Sequence, residues 1–181
     1  DLLALRISTR KSALRPETEV QVYYGRETEG RNLFPADPDQ ILKANGTQIL
    51  ADAVDLDGDG RMDLIVPTIK LGLAQIIRVL ISKTLEVDVH IFLMGKDGRY
   101  PKKASDKRDF PVQFDFKGQR SQPVYEVVDL NNDGRIDILT SSDFEELEGY
   151  YGVPKKILRN KPDFRFQVKL PRNGERVRAI Q

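Results

Sequence analysis

Cysteine is absent from all 181 residues, which removes both a disulfide framework and thiol chemistry. Histidine occurs once, at His90. It stands in an alternating segment on the face shared by Asp88, Phe92 and Met94, with no nucleophile or second metal ligand in the pattern, so it reads as structural. No run of about 18 apolar residues occurs, and no helix of that kind can span a membrane. Neither charge sign is in excess. The net charge of +1 argues against wholesale nucleic-acid binding. A Gly-rich phosphate loop, a nucleophile elbow and zinc-ligand spacing are all missing. At 39% hydrophobic and 31% charged residues the chain is globular without being rich in core.

What is present is a repeated acidic loop. Asp55-Leu-Asp-Gly-Asp-Gly-Arg-Met-Asp63 and Asp129-Leu-Asn-Asn-Asp-Gly-Arg-Ile-Asp137 each carry an oxygen side chain at the first, third, fifth and ninth positions. Each has Gly at the sixth position and an apolar residue at the second and eighth. Calcium takes about 6–8 oxygen ligands at roughly 2.3–2.6 Å, and alternate residues of a tight loop can supply them. The first loop offers Asp55, Asp57, Asp59 and Asp63 with the carbonyl of Arg61. The second offers Asp129, Asn131, Asp133 and Asp137 with the carbonyl of Arg135. An amide replaces one carboxylate in the second loop, which predicts the weaker of two calcium sites. Four crowded carboxylates without a cation would repel one another.

An EF-hand requires a bidentate Glu at the twelfth position and flanking helices. Val66 and Thr140 stand there, and the flanks are β-branched and strand-like, so the EF-hand is excluded. A calcium loop between two strands, left by Asp63-Leu-Ile-Val or Asp137-Ile-Leu-Thr, resembles the FG-GAP/VCBS repeat. That family includes the calcium-binding blades of integrin α-subunit propellers and many bacterial surface proteins. The resemblance is specific at 55–66 and 129–140. It implies a β-propeller with calcium held at blade edges, on the loop residues already named.

The loops start at 55 and 129, 74 residues apart, where a propeller blade usually runs about 40–50. The excess has a visible source. Leu73, Ile76, Ile77, Leu80 and Ile81 recur at helical spacing, predicting one inserted helix near 69–82. Val87–Met94 alternates like a strand, and Gly95-Lys-Asp-Gly98 reads as a turn. The opening Asp1-Leu-Leu matches Asp63-Leu-Ile and Asp137-Ile-Leu. The closing Asn173-Gly-Glu-Arg-Val resembles Asn45-Gly-Thr-Gln-Ile. Both ends therefore read as cuts in a longer repeat protein. The expected fold is mainly β: a partial propeller of about two and a half antiparallel blades, in units 1–54, 55–128 and 129–181. Open blade edges allow a homodimer, or a cover by the 69–82 helix.

Charge is segregated late in the chain. Residues 126–148 hold eight acids and one base, and residues 152–181 nine bases and two acids. The basic segment reads as a solvated strand face that pairs with the acidic block. In 143–151, Phe144, Leu147 and Tyr150 are expected to cover a blade edge. The carboxylate pairs are better explained by metal than by glycoside hydrolysis. The function expected is non-catalytic. It is a calcium-stabilised module for binding, adhesion or scaffolding outside the cytoplasm, where millimolar calcium fills weak sites. Its partner would be a protein or a glycan. The alternatives are an accessory domain of a larger secreted enzyme, and an open-stack intracellular scaffold.

Overall fold

The computed structural model describes residues 1–9, 16–28, 31–49, 51–70, 72–113, 125–141, 145–153 and 156–168. The fold is mainly β, with one helix among the described residues. A first antiparallel sheet is formed by β1 (Leu2–Ser8) and β2 (Glu17–Tyr23). A small hairpin, β3 (Arg26–Thr28) and β4 (Arg31–Leu33), then leads to its third strand, β5 (Gln40–Asn45), which pairs with β2.

The second sheet begins immediately with β6 (Thr47–Gln48) and β7 (Asp52–Val54), which pair with successive parts of β8 (Asp63–Ile69). Helix α1 (Leu73–Ser82) follows, then β9 (Thr84–Phe92) and β10 (Asp106–Gln113). The third sheet has β11 (Tyr125–Val128), β12 (Asp137–Thr140) and β13 (Glu146–Tyr150). A hairpin of β14 (Gly152–Val153) and β15 (Lys156–Leu158) precedes its last strand, β16 (Phe164–Gln167). Sheet membership and loop-to-loop counting divide the chain differently: β6 and β7 precede Asp55 yet belong to the second sheet.

Two apolar cores lie on opposite faces of the second sheet. Successive strand residues point to opposite faces. Leu64, Val66 and Phe92 therefore meet Val20, Val22, Leu42 and Ala44 of the first sheet. Ile65, Val89 and Ile91 meet Leu56, Ile138, Ile157 and Leu158 on the other side. That is why Leu64-Ile-Val reads as a continuous apolar run, while β2 alternates strictly between buried and half-buried positions. Pro67 is tolerated inside β8 because the strand beside it is interrupted. Its carbonyl accepts Ile49 N–H at 3.1 Å across the gap between β6 and β7. Its ring nitrogen faces the same gap, where no ladder donor is needed.

The three sheets share one hydrogen-bonding unit. Asp1, Asp63 and Asp137 each stand at the entry of a strand. Each accepts, through Oδ1, the N–H two residues past the end of the following strand: Gly25 at 3.0 Å, Met94 at 2.7 Å and Gly152 at 2.8 Å. The residue just before that acceptor's partner is held in turn by a short polar side chain. Tyr24 N–H donates to Asp39 at 3.0 Å, Leu93 N–H to Ser105 Oγ at 3.0 Å and Tyr151 N–H to Asp163 at 2.8 Å. This bonding recurs in all three sheets, including the first, which has no acidic loop among the described residues.

The helix starts later than the apolar pattern predicts. Ile69 is still strand, paired with Thr47 and Val87, and Gly72 caps the helix. Nor does α1 bury its apolar face, since none of its residues is buried and Leu73 and Ile81 are 68% and 79% exposed. The strand expected over 87–94 runs from Thr84 to Phe92, and the Gly95–Gly98 turn closes with Gly98 N–H on Gly95 O at 2.9 Å. Leu147 and Tyr150 do not cover an edge: β13 lies between β12 and β16, and the Tyr150 ring meets Phe110 edge-on at 5.8 Å. Phe144 and the 173–181 segment lie outside the described residues.

Gly149 on β13 sits under the ring of its cross-strand partner Phe164, and a Cβ there would run into the ring's Cζ edge. Phe164 is itself in tilted ring contact with both Tyr151 and Phe166. Gly149→Ala should therefore cost about 1–3 kcal/mol, as overpacking does; urea unfolding checks it, and a neutral result would show that the ring moves freely.

Candidate metal centre

Each acidic loop folds around its first residue. Asp55 Oδ1 accepts N–H bonds from Gly58 (2.9 Å) and Asp59 (3.1 Å), and Oδ2 accepts from Gly60 (2.8 Å). In the second loop Asp129 accepts from Asp133 (3.2 Å) and Gly134 (2.9 Å). Gly60 and Gly134 have φ of +85° and +82°, a region where a side chain is strained. The fifth residue closes on the seventh in both loops: Asp59 Oδ1 on Arg61 N–H and Asp133 Oδ1 on Arg135 N–H, each at 2.9 Å. Asn131 Oδ1 adds a 2.9 Å bond to Asp133 N–H.

The ninth residue closes each loop from within the fold. Asp63 and Asp137 are 1% and 0% exposed. Their Oδ2 atoms accept the N–H of the second residue, Leu56 at 3.0 Å and Leu130 at 2.8 Å. Burial pushes the Asp63 carboxyl above the usual carboxylate range. The charges of Asp57 and Asp55 add to this, and the N–H groups of Met94 and Leu56 work against it. Beside it Tyr100, whose burial raises its hydroxyl to about 12, donates to Met62 O at 2.7 Å and fixes the loop's exit.

Asp55, Asp57 and Asp63 bring one oxygen each within 4.8 Å of one another. Oxygens sharing one calcium ion lie no more than about 5.2 Å apart, twice the longest ligand distance. The three therefore fit a common cation. Among the described residues this is the one such group of His, Cys, Asp or Glu. Asp59 stands outside it, with its carboxylate paired to the Arg61 guanidinium, which also donates from Nε to Met94 O at 3.1 Å. Asp133 pairs with Arg135 in the same way at 3.4 Å. In the second loop Asp129, Asn131 and Asp137 occupy the corresponding places, with an amide where Asp57 has a carboxylate.

Asp39, Ser105 and Asp163 are absent from the sequence reading. The dipeptides Pro38-Asp39 and Pro162-Asp163, each just before a last strand, were the available signal. The second sheet hides it by using Ala104-Ser105. The segregated charge is partly paired as expected: Arg165 bridges Glu148 at 2.8 Å, while Arg159 bridges Asp163, within its own segment, at 2.8 Å.

His90 belongs to a separate polar row, buried at Thr68, Asp88 and His90 and exposed at its Lys107 and Asp109 edge. Gln48, Thr68, Asp88 and Asp109 are cross-strand neighbours on the face toward the first sheet, with His90 and Lys107 paired beside them. Asp88 is buried and bridged by Lys70 and, at 3.5 Å, by Lys107. Burial raises its carboxyl, but the ammonium groups of Lys70 and Lys107 outweigh this and leave it below the usual range. Burial lowers the His90 imidazole, as does the Lys107 charge, against the opposing pull of Asp88 and the Asn45 carbonyl. The unfolded chain therefore takes up a proton near pH 6.5 that the folded protein refuses until lower pH, so stability falls as pH drops below about 6.5. The slope from this residue cannot exceed about 1.4 kcal/mol per pH unit. His90→Gln should flatten the fall in urea midpoint between about pH 6.5 and 5; an unchanged slope would assign it to other groups.

Compared with known proteins, the chain matches no family model and no curated sequence. No helix among the described residues is long and apolar enough to cross a membrane.

Proposed function

We propose that this chain is a calcium-stabilised repeat module of the FG-GAP/VCBS type, and that its three sheets are consecutive blades of a β-propeller. The observation that carries this reading is the convergence of Asp55, Asp57 and Asp63 in a strand-to-strand loop whose bonding is repeated at 129–137. Two calcium ions are assigned, one to each loop. The module binds or displays and does no chemistry, outside the cytoplasm, with a protein or glycan as partner. Support for a mechanical role of the metal comes from the loops themselves. The first joins β7 to β8 and the second β11 to β12, and an ion in the first would cancel the repulsion of the buried ninth carboxylate and its neighbours.

Isothermal titration of the full chain with calcium tests this. Two sites are expected, with dissociation constants at or below about 1 mM, the range of extracellular modules. Absence of binding at about 10 mM, well above that range, would overturn the proposal. Asn131→Asp should tighten the second site by the order of tenfold, since it restores the missing carboxylate. The same titration measures it, and no gain in affinity would sink the charge argument.

A further inference from the structure

We propose that the two loops bind calcium as a coupled pair, with the Arg135–Ile136 peptide as the link. This rests on reading the loops as calcium sites and adds what neither loop shows alone: they touch. Ile136 N–H donates to Leu56 O at 3.4 Å. Leu56 is the second residue of the first loop, between Asp55 and Asp57, and its own N–H is held by Asp63 Oδ2 at 3.0 Å. Ile136 shares its peptide with the Arg135 carbonyl, the neutral oxygen that the second loop offers its ion. A peptide is planar, so carbonyl and N–H move as one body. A cation on that carbonyl makes the N–H a stronger donor. The bond to Leu56 is long at 3.4 Å, and its shortening draws the first loop into place.

A second contact acts at the loop tips. A Cβ on Gly58 would lie 2.8 Å from Gly134 O, so backbone packs directly on backbone there. The loop conformation does not itself demand glycine. Asn132 holds the corresponding place in the second loop at φ +59°, against +74° for Gly58. What excludes a side chain at 58 is the neighbouring loop. Beneath both, the Leu56 side chain packs in one core with Ile136 and Ile138, so the loops cannot separate without opening that core.

The test is a calcium titration of the 15N-labelled full chain, following the Gly60 and Gly134 amides by NMR. In the wild type the two are expected to report a joint, steep transition. Asp57→Asn removes one ligand charge from the first loop, as Asn131 already does in the second, and leaves its backbone bonds; it should weaken both the first site and, through the link, the second, the latter by about fivefold or more, a typical coupling. Gly58→Asn should separate the two transitions while both loops still bind. An unchanged Gly134 midpoint in Asp57→Asn would overturn the coupling and leave calcium binding standing. If neither amide responds in the wild type, the calcium reading fails and the coupling with it. Should Gly58→Asn not fold, the Asp57→Asn midpoint decides alone.

Discussion

Chelation by excess EDTA is expected to lower the melting temperature by about 10–20 °C relative to protein in calcium. A ligand that binds only the folded state stabilises it by about 2.7 kcal/mol at a hundredfold excess over its dissociation constant. Two such sites contribute about 5 kcal/mol, and each kcal/mol moves the midpoint of a chain this size by about 2–4 °C. The effect should be specific. Magnesium keeps its own waters and demands near-octahedral geometry, which a loop built for many oxygens does not supply. Calorimetric scans at matched ionic strength, with magnesium as the control, measure it. A curve that ignores EDTA would remove calcium from the account.

Asp63→Ala should destabilise the protein by about 2–4 kcal/mol even in EDTA. Asp63 is a staple before it is a ligand: it receives the N–H groups of Leu56, in the acidic loop, and Met94, two residues past β9, at 3.0 and 2.7 Å. Bonds to a charged acceptor contribute about 1.5–3 kcal/mol each, and losing the acceptor leaves both donors unpaired in a buried setting. The cost of burying the carboxylate, visible in its raised pKa, offsets part of that sum. Asp57→Ala is the contrasting variant. Asp57 is exposed and accepts none of the loop's backbone N–H groups among the described residues. Its substitution should change stability in EDTA by less than about 0.5 kcal/mol, yet abolish the calcium-dependent gain of the first loop. Chemical denaturation of both variants, with and without calcium, separates the two roles. Equal losses in EDTA would show that the two bonds to Asp63 add no stability beyond what a surface acid gives.

The loops were legible because their chemistry is local. Nine consecutive residues contain the acceptors, the positive-φ glycine and the ninth carboxylate, so spacing alone predicts the turn that Asp55 and Asp129 organise. The strand leaving Asp63 announced itself through its apolar, β-branched run and the strand over 87–94 through its alternation, while their extension to Ile69 and back to Thr84 did not. The helix was legible as a helix, because 3.6-residue periodicity is a property of one segment. Its start was misplaced because pairing of Ile69 with Thr47 and Val87 overrides the apolar pattern, and pairing partners are remote in sequence.

By itself, then, the sequence determined the acidic loops, their strand flanks and the helix, each a matter of neighbouring residues. Only the tertiary structure decided three further things. It set the second sheet between two cores, which is why Leu64 and Ile65 are both buried. It left the apolar face of α1 exposed, since periodicity says which side of a helix is apolar and not what stands opposite. And it laid one loop on the other, with Ile136 N–H on Leu56 O and Gly58 against Gly134. That contact joins residues about 80 positions apart through backbone atoms, which carry no side-chain signature for a sequence to display.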